Sequence, residues 1–342
     1  MDGSNVARAI LYLRKRAGYT QKDLAERIGI SDKAVSKWER GLSLPDISYI
    51  RRLAIILDTD TDSLLAGDVI HHEKNWLGLI VLDENPSGVG MSTIIYDKPL
   101  VYYMLSYFLL VGIKRVLIVC SSGDEQFIHS ELKDGRDFGI EILCFTGPLS
   151  VAIRSYACQH SHVMLVYGRC FLYGVDLTRF LQKAISQSDK PVILALPKNG
   201  KFLTNQILMD ENRKVVASRR DQPIRTQYDY FEIPMFFCPT KMLLKMPDKK
   251  SIHEYISQYR KDNQLYVEML DRGFIEISVD TWDDVQEASA FVRIVQDKCG
   301  MIIYCLEEVA WRRGLISMER MYTLGERKAS AAYGKYVMSL AK

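Results

Sequence analysis

Residues 20–41 read TQKDLAERIGISDKAVSKWERG, and this stretch decides the fold of the first part of the chain. Thr20 is placed as a helix N-cap, with Asp23 three residues on as an imperfect capping box. Gly29 supplies, at low steric cost, the left-handed backbone of the turn that follows the first short helix. Ser31 caps a second helix that runs to Gly41. Ala25 is small where the two helices cross closely, and Ile30, Val35 and Trp38 face inward. That leaves Gln21, Ser31, Asp32, Lys33, Ser36, Lys37 and Arg40 facing outward, side chains suited to phosphates and base edges. Arg14, Lys15 and Arg16 add positive charge nearby.

On either side of this stretch the pattern stays helical. Ile10, Leu11 and Leu13 precede Gly18; Pro45 and Asp46 introduce ISYIRRLAIIL; Thr61 begins a last short helix ending at Gly67. Residues 1–67 therefore read as an all-α domain, and 68–75, polar and adjoining Gly67, as a linker. A second domain occupies 76–342, where the periodicity changes. The apolar run LGLIVL from Leu77 has buried-strand character, and PLVYYMLSYFLLVG follows as a helix. RVLIVC, IEILCF and VMLVY are strands, separated by the helices DEQFIHSEL and SVAIRSYACQH. Such alternation implies a parallel sheet covered on both faces. After PVILAL the strands shorten (FLTNQILMD, KVVASRRD, YFEIPMFF), which suggests an antiparallel extension, and the tail beyond Trp282 is helical again.

Composition excludes several classes. With 342 residues, 48% hydrophobic and 25% charged, the chain has room for one small and one large globular domain. A net charge of +3 is too mild to identify a partner, so nucleic-acid affinity must come from a local patch. Seven irregularly spaced cysteines form no disulfide framework and fit reduced thiols in a cytoplasm. The start MDGSNVARAI lacks signal-peptide character. The apolar run Leu100 to Ile113, ended by Lys114-Arg115, is too short for a membrane span, so no membrane partner is expected.

The residues of TQKDLAERIGISDKAVSKWERG and the following SLPDISYIRRLA resemble the Xre/Cro helix-turn-helix family over residues 5–67. The resemblance implies that the second helix enters the major groove of double-stranded DNA and that the domain binds as a dimer. Gln21, Ser31, Lys33, Ser36, Lys37 and Arg40 are the contact candidates it implies.

Residues 76–340 resemble sugar-nucleotide pyrophosphorylases, most closely glucose-1-phosphate thymidylyltransferases. The stretches that carry this are YDKPLVYYMLSYFLLVGIKRVLIVCS from Tyr96, KDGRDFGIEI, LVYGRCFLYG from Leu165, and DRGFIEISVDTWDDVQEASAFV from Asp271, running through CLEEVAWRRG to YGKYVMSLAK. The fold implied is an α/β Rossmann-like nucleotidyltransferase domain with antiparallel additions and a C-terminal helical tail.

The catalytic motifs of that family have changed. The enzymes carry G-x-G-T-R-L after the first strand, whose backbone N–H groups and basic side chains cradle a triphosphate. This chain has the shorter LDENPSGVGMSTI, with no Arg or Lys between Lys74 and Lys98 and with Asp83 and Glu84 to repel phosphate; only Gly88 and Gly90 could offer backbone donors. The enzymes hold Mg²⁺ between an aspartate of G-D-N and a second of L-D-T-G-T. Here G-D-N has become Gly168-Arg169-Cys170, and the second aspartate aligns with Ser278, or with Asp280 after a shift of two that keeps the strand face. The sugar-binding E-E-K-P is replaced by SRRDQP from Ser218.

The expectation is therefore no catalytic residue, no metal site and no cofactor, with Mg²⁺ needed only if catalysis survives. In contrast, YDKPLVYY and CLEEVAWRRG are nearly unaltered. The resemblance carries a regulatory nucleotide pocket onto Tyr102, Leu109, Gly174, Glu308, Val309 and Arg312, with a thymidine nucleotide or nucleotide sugar as effector and a homo-oligomer, dimer or tetramer, as the assembly. The preferred reading is a transcriptional regulator with a retired enzyme as sensor. The alternatives are an active thymidylyltransferase carrying a DNA-binding domain, and an oligomerisation scaffold. Among minor features, Cys158, His160 and His162 lack a fourth metal ligand, His71-His72 lie in the linker, and Asp283-Asp284 read as a helix N-cap pair.

Overall fold

The computed structural model describes residues 3–57, 59, 61–66, 75–83, 85–197, 206–209, 215–219, 230–248, 251–261 and 265–341. The chain divides into two compact units, Met1–Lys74 and Asn75–Lys342. The linker expected at 68–75 lies, except for Asn75, outside the described residues.

The first unit is built from α1 (Gly3–Arg16), α2 (Gln21–Ile28), α3 (Asp32–Glu39), α4 (Ile47–Ile56) and α5 (Thr61–Ala66). Thr20 caps α2 with a complete capping box, its side chain accepting from Asp23 N while Asp23 accepts from Thr20 N. Gly29 ends α2 at φ 83°, the left-handed region where a side chain would be strained. Ser31 caps α3, accepting from Ala34 N. Leu24, Ala25, Ile28, Val35, Trp38, Ile50 and Leu53 meet in one core with α1, and Trp38 lies against Tyr49 at 6.0 Å.

The second unit opens with β1 (Trp76–Val81), the two-residue strands β2 (Ile94–Ile95) and β3 (Lys98–Pro99), and α6 (Leu100–Leu110). It continues with β4 (Arg115–Val119), α7 (Ser122–Glu131), β5 (Glu141–Phe145), α8 (Leu149–Tyr156), β6 (His162–Tyr167), β7 (Cys170–Tyr173) and α9 (Leu177–Ser186). Then come β8 (Val192–Pro197), β9 (Gln206–Met209), β10 (Val215–Arg219), β11 (Tyr230–Pro239), α10 (Thr240–Leu243), α11 (Ile252–Lys261), β12 (Tyr266–Met269) and β13 (Ile275–Ser278). The tail is α12 (Trp282–Cys299), α13 (Leu306–Arg312), α14 (Met318–Glu326) and α15 (Ala332–Ser339).

β6, β1, β4 and β5 are parallel neighbours. β11 runs antiparallel beside β6 and carries β8 and the β9–β10 hairpin on its other side. The sheet is thus the mixed α/β arrangement the alternation implied. Every residue of β1 and β6 is buried, as strands covered on both faces must be. Tyr102, Tyr103, Tyr107 and Phe108 belong to α6, which is buried from Leu100 to Leu109. A small second sheet pairs β13 with β7. No helix among the described residues is long and apolar enough to cross a membrane.

Candidate functional site

In the helical unit, α3 presents Lys33, Lys37 and Arg40 to solvent, with Ser31 exposed at its start and Ser36 half-buried. Gln21 is half-buried at the start of α2, and its Nε2 donates to Glu39 Oε2 at 2.7 Å. Arg14 is a correction to the sequence reading. It adds no exposed positive charge, because it is buried and its guanidinium forks onto both carboxylate oxygens of Glu39, the second at 3.0 Å. Arg14 also donates to Tyr19 O at 2.6 Å. The buried acid therefore holds α1, α2 and the end of α3 in one geometry and fixes the Gln21 amide. Asp32 accepts from Lys33 N at 2.8 Å, a local helix-start contact.

In the second unit, the loop after β1 lies against the turn between β6 and β7. Arg169 Nε donates to Val89 O at 2.6 Å and Nη2 to Asp83 O at 2.5 Å. Its Nη1 stands 3.8 Å from Asp280 Oδ1, and the Arg169 side chain is only 9% exposed. Burial pulls the guanidinium below its usual range, opposed by the charges of Asp280, Asp124 and Asp83. It stays protonated all the same. Asp280 is raised above the ordinary carboxylate range by burial, against the pull of Arg169.

The loop is further fastened from the other side. Asn85 Nδ2 donates to Asp280 O at 2.8 Å, Ser87 Oγ donates to the same carbonyl, and Trp282 Nε1 donates to Ser87 O at 3.0 Å. Five of its backbone N–H groups are bonded within the chain. Ser87 N serves Asn85 Oδ1, Gly88 N serves Asn85 O, Gly90 N serves Thr93 Oγ1, Thr93 N serves Gly90 O, and Met91 N serves Asp124 Oδ1.

A divalent cation does not fit here. Ser278, the ungapped match for the second aspartate, pairs with Cys170 and donates to Glu276 Oε1 at 2.8 Å. Asp280 is the carboxylate that meets Arg169. Its partner in the place of the first aspartate is a fixed cation, which repels a metal ion. Among the described residues no group of three or more His, Cys, Asp or Glu could hold a metal ion. Cys158, His160 and His162 belong to no such group. Of SRRDQP, only Ser218 and Arg219, in β10, lie within the described residues. Asp283 and Asp284 do not themselves cap α12; Thr281 is the N-cap, and Asp284 completes its capping box.

The six residues carried over for a regulatory pocket occupy three surroundings. Tyr102 is fully buried on α6, edge-on to Phe138 and Tyr333, with its hydroxyl donating to Glu131 Oε1 at 2.7 Å and accepting from Lys328 Nζ at 2.5 Å. Its ring is therefore covered by the chain itself rather than offered to a base. Gly174 is half-buried after β7, where Phe274 leaves no room for a Cβ. On α13, Glu308 accepts from Arg312 Nε and from Tyr336 Oη, both at 2.7 Å. Arg312 is exposed, Val309 half-buried, and Leu109 buried near the end of α6, the helix on which α13 packs. Sequence reading missed the fastening residues Asn85, Ser87 and Trp282, whose partners lie 193 or 195 positions away.

Comparison with known proteins accords with both units. A helix-turn-helix family model matches residues 10–64, and a nucleotidyl transferase model matches residues 92–299. The chain belongs to the nucleotidyl transferase family and carries a helix-turn-helix DNA-binding domain ahead of it. Its large unit is homologous to glucose-1-phosphate thymidylyltransferases. It is 30% identical over 261 residues to that of Neisseria meningitidis, covering 72% of this chain and 90% of the relative. The Mycolicibacterium smegmatis enzyme is 28% identical over 261 residues, covering 72% and 89%. A solved structure described as a glucose-1-phosphate thymidylyltransferase of Bacillus anthracis superposes with TM-score 0.54 over 64% of this chain and 95% of its own. At 14% identity it shows the shared fold.

Proposed function

We propose that the protein is a transcriptional regulator whose nucleotidyl transferase domain no longer catalyses and instead senses a nucleotide or nucleotide sugar. The observation that carries the loss of catalysis is Arg169. It stands beside Asp280 where the family resemblance puts a metal ligand, and it holds the shortened loop by Val89 O and Asp83 O. Phosphoryl transfer depends on charge stabilisation at the reacting phosphates, and the N–H groups of Ser87, Gly88, Gly90, Met91 and Thr93 are already bonded within the chain. The helical unit reads double-stranded DNA through Lys33, Ser36, Lys37 and Arg40, with Ser31 at the helix start and Gln21 beside it.

The effector site proposed is the surface around Glu308, Val309 and Arg312 on α13, in a homo-oligomer; Leu109 lies on α6, the helix α13 packs on, while Tyr102 and Gly174 sit in other surroundings. Arg312 is exposed and its planar fork suits a phosphate. The scaffold reading has its own support, since Tyr102 and Glu308 are already engaged within the chain. Operator binding with and without thymidine nucleotides or nucleotide sugars, beside a pyrophosphate-release assay with deoxythymidine triphosphate, glucose 1-phosphate and Mg²⁺, tests the proposal. Metal-dependent pyrophosphate release by the native chain would restore the enzyme reading. Absence of any nucleotide effect on DNA binding would favour the scaffold.

A further inference from the structure

The surroundings of Arg169 have the chemistry of a cation site. Two backbone carbonyls, Val89 O and Asp83 O, and one carboxylate, Asp280 Oδ1, converge on a single positive group. Hard oxygen donors of this kind suit a divalent ion. The charges of Asp83, Asp124 and Asp280 all act on the same guanidinium, and three like charges in one cleft repel unless a cation lies among them. Arg169 also reaches across long chain separations, 80 residues to Val89 and 86 to Asp83, so it is a tie between distant segments.

We propose that Arg169 is a built-in replacement for a divalent cation, a side-chain clasp that holds Asp83 and the 85–93 loop against the Asp280–Trp282 segment. A covalently tethered cation cannot dissociate, so the closed cleft is independent of metal. Asn85, Ser87 and Trp282 complete the closure by tying the loop to Asp280 O and to the start of α12. Arg169 is a positioning residue here: it acts through the loop and touches no substrate. This inference rests on reading the cleft as non-catalytic, and it names the device that keeps it so.

Hydrogen exchange of the 83–93 segment in the full chain tests the clasp, for the native protein, Arg169→Ala, Arg169→Lys and the double variant Arg169→Ala/Asp280→Asn. In the native protein the Gly88, Gly90, Met91 and Thr93 amides should exchange slowly, equally with EDTA and with millimolar Mn²⁺. Arg169→Ala should speed that exchange at least tenfold. Mn²⁺ should slow it again and leave an electron paramagnetic signature of bound ion, and both effects should vanish in the double variant. Arg169→Lys, which keeps the charge, should retain partial protection without Mn²⁺.

An unchanged loop in Arg169→Ala, native exchange that depends on metal, or Arg169→Ala exchange that Mn²⁺ fails to slow would each overturn the clasp. Those outcomes leave the non-catalytic reading standing when pyrophosphate release is absent. Pyrophosphate release by the native chain sinks that reading whatever the loop does.

Discussion

Arg169 Nη1 lies 3.8 Å from Asp280 Oδ1, joining the β6–β7 turn to the segment that leads into α12. The family resemblance puts this ion pair in the place of two metal-binding aspartates. Asp substituted at Arg169 alone is accordingly expected to give no turnover in the pyrophosphate assay, because the loop donors would still be bonded to Asn85, Thr93 and Asp124. Turnover above background by that variant would show that the loop is no obstacle.

DNA binding should depend on the exposed face of α3. Ser36→Ala or Lys37→Ala is expected to weaken specific operator binding by about 1–3 kcal/mol if either reads a base. Affinity should also fall steeply with salt as phosphate contacts release counterions. Titrations across salt concentrations measure both, and operator affinity unaltered in the double variant would remove α3 as the reader.

Glu39 links fold to reading. Removing it leaves the buried Arg14 without its partner and frees the Gln21 amide. Glu39→Ala should therefore destabilise the helical unit by about 3–5 kcal/mol, the cost of an uncompensated buried charge. Thermal melting of the variant, followed by helix signal, checks this; a stability near native would mean the pair is worth little.

The C-terminal helices should loosen in acid through Asp137. This half-buried carboxylate accepts from Arg327 at 2.6 Å and from Arg320, with Lys133 at 3.9 Å. Burial alone would raise its pKa, but the Arg327 hydrogen bond and the charges of Arg320, Arg327 and Lys133 bring it below the ordinary value. Because the folded-state value is depressed, the stabilisation is complete above the unfolded value of about 4 and is lost as pH falls through the folded value. Asp137→Asn should cost about 1–3 kcal/mol at neutral pH and flatten this acid-side dependence. Melting curves between about pH 2 and 7 read both effects, and equal slopes in the two proteins would exclude Asp137.

Arg312→Ala separates sensor from scaffold. Its side chain is 64% exposed and, among the described residues, is hydrogen-bonded to Glu308 on the same helix, so the fold should tolerate the change to within about 0.5 kcal/mol. Calorimetry should show lost affinity for a nucleotide that the native chain binds. Undiminished binding would place the effector elsewhere.

The sequence by itself determined the two-domain plan, because its signals are local. The Thr20 and Ser31 caps, the left-handed Gly29 and the spacing of Val35 and Trp38 act within a few residues of one another, and α2 and α3 begin where those caps lie. The apolar β1 and the largely apolar α6 likewise declared a buried sheet and a buried helix. Local chemistry also marked Arg169 as a cation in an aspartate's place. Only the tertiary structure decided what that cation does. The short strand β7 was invisible as a strand until β13 paired with it, and that pairing carries Asp280 to Arg169. The Arg14 charge counted toward the nearby positive patch until Glu39, 25 residues away, paired with it inside the unit. Tyr102 looked able to meet a base until Tyr333 and Phe138 covered it. Caps and periodicity are short-range, whereas ion pairs and cleft closure depend on chain segments that meet only after folding.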